Sequence, residues 1–292
     1  MSALEVLAPG PLASVQDLGR PGLAALGVGA SGAADRASLR LANRLVGNAE
    51  DAAGLELTFG GLRARATGFA TVALTGAPCP ASAGGRAVGM NAPIPVRPGD
   101  ILAVGAPTEG ARTYLAVRGG FDVPPVLGAR STDVLSGLGP EFVQAGTVLP
   151  IGRGAAGFPV VDQAPVRRAA GEVTLRVIPG PRADWFAPDA LGVLCGEPYH
   201  VTSESNRVGA RLDGPELRRA GPAELQPEGM VRGALQVPPH GRPVLLLADH
   251  PVTGGYPIIA VVVDEDVDLA AQLRPGEPVR FRVLGAQPTR PT

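Results

Sequence analysis

The sequence predicts a mainly β protein, with a barrel or sandwich architecture in two lobes and only a few short helices. Glycine (41 residues) and proline (31 residues) are spread along the whole chain and divide it into short apolar runs. Runs of about four to eight residues between glycine or proline are typical of strands. Between residues 55 and 153 no amphipathic helical stretch occurs, whereas an alternating β/α fold needs such helices between its strands.

Eight apolar runs are predicted to be strands, because valine, leucine and isoleucine recur in them and glycine or proline punctuates the chain around them. Their short length favours strands over helices. In chain order the predicted strands are Ala3–Ala8, Thr71–Thr75, Ile101–Val104, Thr113–Val117, Thr174–Ile178, Val244–Ala248, Ile258–Val263 and Val279–Leu284.

Three segments are predicted to be helical. The first covers Asp35–Val46 and places Leu39, Ala42 and Leu45 on one face, ahead of a glycine that ends it. The second is interrupted by Pro188, and the third carries acidic residues in its first turn and ends before a Pro-Gly pair. These two helices are predicted over Pro181–Leu194 and Asp266–Leu273.

Two pairs of similar segments indicate two lobes. Leu4–Gly10 resembles Leu175–Gly180, and Val96–Leu102 resembles Leu273–Val279, so each half opens and closes with similar strand signals. This pattern is consistent with a duplicated barrel, and chance similarity among strands rich in glycine and proline is the alternative. The predicted lobes are residues 1–165 and 166–292.

Composition excludes several classes of protein. The formal net charge of -1 gives no basic surface for nucleic acid or for an anionic membrane. No signal-like or membrane-spanning apolar run occurs, and Cys79 and Cys195 form no disulfide framework, so the chain is expected to be cytoplasmic. The three histidines, His200, His240 and His250, lack the spacing of zinc ligands, and no metal site is predicted.

The sequence contains no lysine, because all 26 positions counted as lysine or arginine are arginine. It therefore has neither a Walker A lysine nor a lysine that could carry biotin. If ATP or biotin takes part in the function, another chain is expected to supply these groups.

Two polar stretches in the second half are candidates for a binding site. Ser205–Pro215 and Asp249–Pro257 bring arginine, asparagine, a carboxylate, a hydroxyl group and paired glycines into short segments. Adjacent glycine N–H groups can converge on a carbonyl or phosphate oxygen, and an amide side chain can both donate and accept. A cyclic amide needs donors for its oxygen and an acceptor for its N–H. The alternative is that these are turn glycines with polar neighbours already paired.

The chain resembles the biotin-dependent carboxyltransferase family, also called allophanate hydrolase subunit 2, over nearly its whole length. The resemblance is carried by motifs that occur in matching order. They are Ser14-Val-Gln-Asp-Leu-Gly-Arg-Pro-Gly22, the Leu26–Arg36 segment, Leu41-Ala-Asn43, Leu45-Val-Gly-Asn48, the Tyr114–Thr132 segment, Ser205-Asn-Arg207 with Gly209 and Arg211-Leu212, Gln236-Val-Pro-Pro239, and Thr253-Gly-Gly-Tyr-Pro257.

This resemblance implies a cyclophilin-like β-barrel in each lobe. It also implies that the chain is the C subunit of an ATP-dependent 5-oxoprolinase, a hydrolase that opens the lactam of 5-oxo-L-proline to L-glutamate. Its partners would be the companion B subunit (KipI-like) and the A subunit, while ATP would be used by the complex without a site assigned to this chain. Two alternatives stay open: a carboxyltransferase subunit of the urea carboxylase type, with biotin carried by another chain, and a KipA-like regulator that antagonises a kinase inhibitor.

Specific residues are expected to form the site under the leading hypothesis. Arg207 and Arg211 would anchor a carboxylate or phosphate, and Asp249 would be a base or would accept an N–H. The predicted catalytic residues are Arg207, Asp249 and Gln236. The predicted substrate-binding residues are Asn206, Arg211, Thr253, Gly254, Gly255 and Tyr256. In the first half, Gln16, Asp17 and Arg20 are expected to face the companion subunit.

Overall fold

The computed structural model describes residues 2–153, 157–165, 172–221 and 225–285. The chain divides into two compact units, one made of Met1–Leu26 and Ala30–Arg168, the other of Gly27–Gly29 and Ala169–Thr292. The predicted boundary between residues 165 and 166 borders a segment, 166–171, that lies outside the described residues. The assignment of two equivalent lobes stays a prediction.

In the first unit, two sheets enclose one apolar core. One sheet has the strand order β11-β1-β4-β9-β6-β7 and the other β2-β3-β10-β5-β8. The elements are β1 (Ala3–Ala8), β2 (Leu12–Gln16), α1 (Arg36–Leu45), β3 (Gly54–Thr58), β4 (Arg63–Ala66), β5 (Ala70–Gly76), β6 (Ala81–Ala83), β7 (Arg86–Val88), β8 (Pro93–Val96), β9 (Ile101–Val104), β10 (Arg112–Val117) and β11 (Val148–Pro150), with a 3-10 turn at Ala24–Leu26.

Alternation of side chains explains how these strands fill the core. In β4, Ala64 and Ala66 are buried while Arg63 and Arg65 are exposed, as expected for a strand with one face on the core. Every residue of β10 is buried, because α1 covers the outer face of its sheet and packs Ala42 and Leu45 in the same cluster as residues of β5 and β10. The predicted first helix is confirmed.

In the second unit, seven strands form a closed barrel in the order β12-β19-β16-β17-β14-β13-β20. A separate two-stranded ribbon pairs β15 with β18. The elements are β12 (Val173–Pro179), a 3-10 turn (Ala183–Trp185), α2 (Ala190–Gly196), β13 (Tyr199–Val201), β14 (Gly209–Asp213), β15 (Glu228–Gly229), β16 (Ala234–Gln236), β17 (Val244–Leu246), β18 (Thr253–Gly254), β19 (Ile258–Val262), α3 (Asp264–Ala270) and β20 (Pro278–Val283).

The mainly β prediction is confirmed, and all eight predicted strands are present with ends shifted by at most a few residues. The second helix is shorter than predicted: only a 3-10 turn precedes Pro188, and α2 begins after it because proline has no N–H for a helix interior. The strands of the similar segments have different neighbours in the two units. In the second unit β12 pairs with β20, whereas in the first unit β4 separates the corresponding strands β1 and β9.

A buried polar cluster fixes the N-terminus of α1. The Asp35 side chain accepts a hydrogen bond from the Ser38 N–H at 2.9 Å, which caps the helix. The Tyr114 hydroxyl accepts from the Asp35 N–H and donates to Glu56 Oε2, both at 2.8 Å. Glu56 Oε2 also accepts from the Ala34 N–H at 2.9 Å. Burial, followed by the charges of Glu56 and Asp35, raises the pKa of Tyr114 well above its usual range, so the hydroxyl keeps its proton and remains a donor.

Tyr114→Phe is expected to lower the free energy of unfolding of the first unit by about 1–3 kcal/mol, since it leaves buried groups of Glu56 and Asp35 without this partner. Urea unfolding followed by circular dichroism measures the change. A loss below about 0.5 kcal/mol would show that the hydroxyl does not hold the helix start.

The second unit contains an acid-sensitive contact between β12 and α3. Asp266 accepts hydrogen bonds from the Arg176 backbone N–H at 2.7 Å and from its guanidinium at 2.9 and 2.7 Å. Burial raises the pKa of Asp266, but the hydrogen bonds and charge of Arg176 outweigh burial and hold the pKa below its usual value. The carboxylate is therefore favoured in the folded state.

Because the folded-state pKa of Asp266 lies below the unfolded one, its contribution to stability is present above about pH 4 and is lost as pH falls through the folded value. The difference in melting temperature between the unsubstituted chain and Asp266→Asn is expected to be largest near neutral pH and to shrink below about pH 4. A difference that stays constant from pH 7 to pH 3 would contradict this linkage.

Candidate functional site

Gln236, at the end of β16, is the centre of a small polar cluster in the second unit. Its side chain is 9% exposed, and its Nε2 lies 3.3 Å from the Tyr256 carbonyl oxygen and 3.9 Å from Met230 Sδ. Gly254 lies directly beside it, because a Cβ added there would come within 2.6 Å of Gln236 Nε2. The structure thus places Gln236 beside Gly254 and the Tyr256 carbonyl, and these residues with the adjoining Thr253 and Gly255 are called the Gln236 cluster.

The β15–β18 ribbon positions the glycines of this cluster. Gly254 is the register partner of Glu228, and Thr253 is that of Gly229. The Met230 N–H donates to the Val252 carbonyl at 2.8 Å and continues the ribbon. Pairing on this ribbon fixes the backbone ahead of the predicted Gly-Gly turn.

One donor and one acceptor of the cluster remain available. Within the described residues, the Gly255 N–H donates to no backbone or side-chain group, and Gln236 Oε1 accepts no hydrogen bond. Thr253 is exposed, and Tyr256 is 43% exposed, so the edge of the cluster faces solvent. An N–H donor and an amide oxygen acceptor are the two groups that the O=C–N–H unit of a lactam requires.

An ion pair that the sequence did not reveal lies beside this edge. Arg182 Nε donates to Glu228 Oε2 at 3.1 Å, and the Arg182 Nη2 makes a second contact with the Glu228 carboxylate. The hydrogen bond from Arg182 lowers the pKa of Glu228. Both side chains are partly exposed. Because these residues are far apart in the chain, no spacing rule could have paired them.

Arg207 and Asp249 occupy a different kind of environment from the one predicted. Arg207 Nε and Nη2 donate to Asp249 Oδ2 and Oδ1 at 2.8 and 3.0 Å, and the side chains are only 2% and 0% exposed. The Asp249 N–H also donates to the Arg207 carbonyl at 3.0 Å. The Asp249 carboxylate thus binds the Arg207 guanidinium through two hydrogen bonds, and both groups are shielded from solvent. The geometry supports a structural role and argues against a substrate anchor at Arg207 and a base at Asp249.

Asn206 and Arg211 are not brought to the Gln236 cluster by any observed contact. Asn206 Oδ1 accepts hydrogen bonds from the Val208 and Gly209 N–H groups at 2.8 and 3.3 Å. An asparagine side chain commonly stabilises a turn in this way. Arg211 pairs with exposed Glu204 at 3.5 Å. It lines a depression of 550 Å³ whose lining includes none of the residues of the Gln236 cluster.

The candidates of the first half are buried, so their predicted contact with a companion subunit is wrong. Gln16, Asp17 and Arg20 are 0%, 8% and 2% exposed. The Asp17 carboxylate accepts from the Arg130 N–H at 2.6 Å, and Arg20 Nη2 donates to the Ser131 carbonyl. These side chains hold the segment around Ser131 in place within the first unit.

Two classes of feature do not occur in the described parts of the chain. No helix there has the length and apolar character that crossing a bilayer would need. The same residues contain no group of three or more histidine, cysteine, aspartate or glutamate side chains placed to hold a metal ion.

Comparison with known proteins gives a consistent set of relatives. The family model described as carboxyltransferase domain, subdomain A and B, matches residues 26–283. The 5-oxoprolinase C subunit of Escherichia coli (strain K12) is 37% identical over 95% of this chain and 90% of its own length. Its namesake from Haemophilus influenzae is 32% identical over 94% and 89%. Urea amidolyase from Lachancea kluyveri is 33% identical over 99% of this chain but only 17% of its own length.

Solved structures agree with this fold. A protein named TTHA0988 superposes with a TM-score of 0.87 at 37% identity, over 97% of this chain and 56% of that one. Urea amidolyase from K. lactis superposes with a TM-score of 0.89 at 32% identity, over 97% of this chain and 19% of that one. The chain therefore spans just over half of TTHA0988 and about a fifth of the yeast protein.

Proposed function

Because this chain belongs to the family of carboxyltransferase domains with subdomains A and B, we propose that it acts as the C subunit of an ATP-dependent 5-oxoprolinase. The complex would be cytoplasmic and would hydrolyse the lactam of 5-oxo-L-proline to L-glutamate. The proposal is supported by two relatives that carry the name of this 5-oxoprolinase component, each of which matches along almost its whole length.

The observation that carries the proposal is the donor and acceptor pair at the Gln236 cluster. The Gly255 N–H would donate to the lactam oxygen, and Gln236 Oε1 would accept from the lactam N–H. In ring opening, water adds OH to the carbonyl carbon and a proton to the nitrogen as the C–N bond breaks. A donor aimed at the oxygen stabilises the negative charge that develops there, which lowers the barrier.

Other groups at this edge would set orientation. Arg182 would hold this edge in place rather than bind the substrate carboxylate, because Glu228 occupies its Nε and Nη2 as Asp249 occupies those of Arg207. Thr253 and Tyr256 offer exposed hydroxyl groups for further hydrogen bonds. Arg207 and Asp249 would support the site by holding neighbouring loops rather than by touching substrate.

ATP and the partner subunits belong to the complex in this proposal. ATP hydrolysis would drive the opening of an unstrained lactam, and the companion B subunit (KipI-like) would complete the machinery together with the A subunit. The chain contains no lysine, so a P-loop or a biotinylated lysine would come from another chain.

A second candidate is a carboxyltransferase subunit of the urea carboxylase type. It is favoured by the identity to urea amidolyase of L. kluyveri and by the superposition on the K. lactis structure. The ureido ring of carboxybiotin presents the same O=C–N–H unit as a lactam, so the Gln236 cluster would suit either compound.

Reconstitution with purified companion subunits tests the proposal. The full mixture is expected to release glutamate and phosphate only when both 5-oxoproline and ATP are present, and omission of this chain should abolish release. If 5-oxoproline gives no turnover while a biotinylated carrier and bicarbonate support carboxylation of urea, the second candidate replaces the first. If partners bind and neither reaction occurs, a KipA-like regulator is indicated.

A further inference from the structure

The first unit contains a cavity of 1060 Å³ whose lining includes Gly119, Gly120 and Gly152. Gly119, with a φ of 96°, and Gly152 meet there so closely that a Cβ on Gly119 would lie 2.1 Å from the Gly152 carbonyl oxygen. Only glycine tolerates this backbone conformation together with this approach. This close approach of two backbone segments lies in the lining of the cavity.

The walls of this cavity are strongly basic. Four arginines line it, and Asp122 is the one carboxylate among its lining residues. The excess of positive charge in the lining is therefore three. They are Arg97, which follows β8, Arg118 and Arg130, which both lie between β10 and β11, and Arg153, which follows β11.

Two of these guanidinium groups are available for a ligand. Within the described residues, the side chains of Arg97 and Arg153 make no hydrogen bond and no ion pair, although both line the cavity. Arg130 meets Asp122 at 3.7 Å in a weak, screened pair between exposed side chains, and its Nε donates to the Val123 carbonyl at 2.7 Å. Arg118 is held more firmly, because it donates to the Val46 carbonyl and stacks over Phe158 at 3.8 Å.

We propose that this cavity binds an anion with two or more linked phosphate groups, such as the phosphate chain of a nucleoside triphosphate. Arginine forks match phosphate oxygens in pairs, and several linked phosphates carry enough charge to balance the excess of three. A single carboxylate, as in 5-oxoproline, would leave most of that charge uncompensated. Phe69 is 76% exposed at the rim and offers an apolar face for a planar base.

The inference does not depend on the proposed function, because it is tested by binding to the full chain without partner subunits. Isothermal titration is expected to show binding of sodium tripolyphosphate and of ATP that weakens as salt increases. Equal affinities would identify the phosphate chain alone as the ligand, and tighter binding of ATP would add stacking on Phe69. Monovalent 5-oxoproline is expected to show no binding at the same concentrations.

A matched pair of double variants tests the location. Arg97→Gln/Arg153→Gln is expected to weaken tripolyphosphate binding about tenfold or more. Arg63→Gln/Arg86→Gln removes the same charge from exposed positions on β4 and β7 outside the cavity and is expected to change binding less than about twofold. Equal losses in both variants, no binding of tripolyphosphate, or equally tight binding of 5-oxoproline would each overturn the proposal.

Discussion

Arg207→Ala is expected to lower the free energy of unfolding of the second unit by about 3–5 kcal/mol. The guanidinium is 2% exposed and makes two hydrogen bonds to an Asp249 carboxylate that is 0% exposed. Removing it leaves a buried negative charge without this partner, and an unpaired charge is far more costly in the interior than in water. Urea unfolding of the purified chain measures the loss.

Two further variants separate a buried pair from a general effect of losing an arginine. Arg211→Ala removes an exposed guanidinium whose Glu204 partner is also exposed, and its expected cost is below about 0.5 kcal/mol. The double variant Arg207→Ala/Asp249→Ala should lose less free energy of unfolding than the two single variants together, because it leaves neither charge of the pair buried without the other. If Arg207→Ala has the same free energy of unfolding as the unsubstituted chain but no longer supports turnover, Arg207 binds substrate directly and its structural assignment is wrong.

Gly254→Ala is expected to reduce kcat/KM of the reconstituted enzyme about a hundredfold while the chain stays folded. The new Cβ would come within 2.6 Å of Gln236 Nε2 and 3.1 Å of Met230 Sδ. Both are ends of side chains that can move, so the main consequence is a displaced carboxamide. Misplacement of a positioning group by about 1 Å can cost about a hundredfold in rate.

The neighbouring glycine provides the matched control. A Cβ at Gly255 would meet only the Leu225 carbonyl oxygen at 3.5 Å, an ordinary contact, and Gly255→Ala keeps the N–H that we assign to the lactam oxygen. Its kcat/KM is expected to stay within about threefold of the unsubstituted enzyme. Equal activity of the two variants would remove the Gln236 carboxamide from the site, whereas equal loss would indicate a general requirement for glycine in the turn.

Much of the fold could be predicted from the sequence because its signals are local. Glycine and proline bound the apolar runs, so the strand at Ala3–Ala8 and that at Ile101–Val104 are found with the predicted ends. The cap at Asp35 and the apolar face of α1 are also local. Strand neighbours depend on pairing between distant segments, so the local pattern predicts neither the two-sheet arrangement of the first unit nor the separation of β1 from β9.

The candidate site could be predicted only in part, because residue types show what a side chain can bind but not what it already binds. Gln236 and Gly254 were found through their motifs and do lie together. Arg207 and Asp249 are equally suitable residue types for binding a substrate, yet their side chains form hydrogen bonds to each other. The partner of Glu228 is Arg182, and no local pattern connects them.

The parallel pairing of β12 with β20 has a consequence for biosynthesis. In this pairing Val173 lies beside Val279. The first strand of the barrel therefore cannot pair with the last one until about a hundred further residues have left the ribosome. During that interval the edges of β12 and β13 that β20 later covers are open to pairing with other chains. Nascent chains of this protein are therefore expected to depend on chaperones until translation has passed β20.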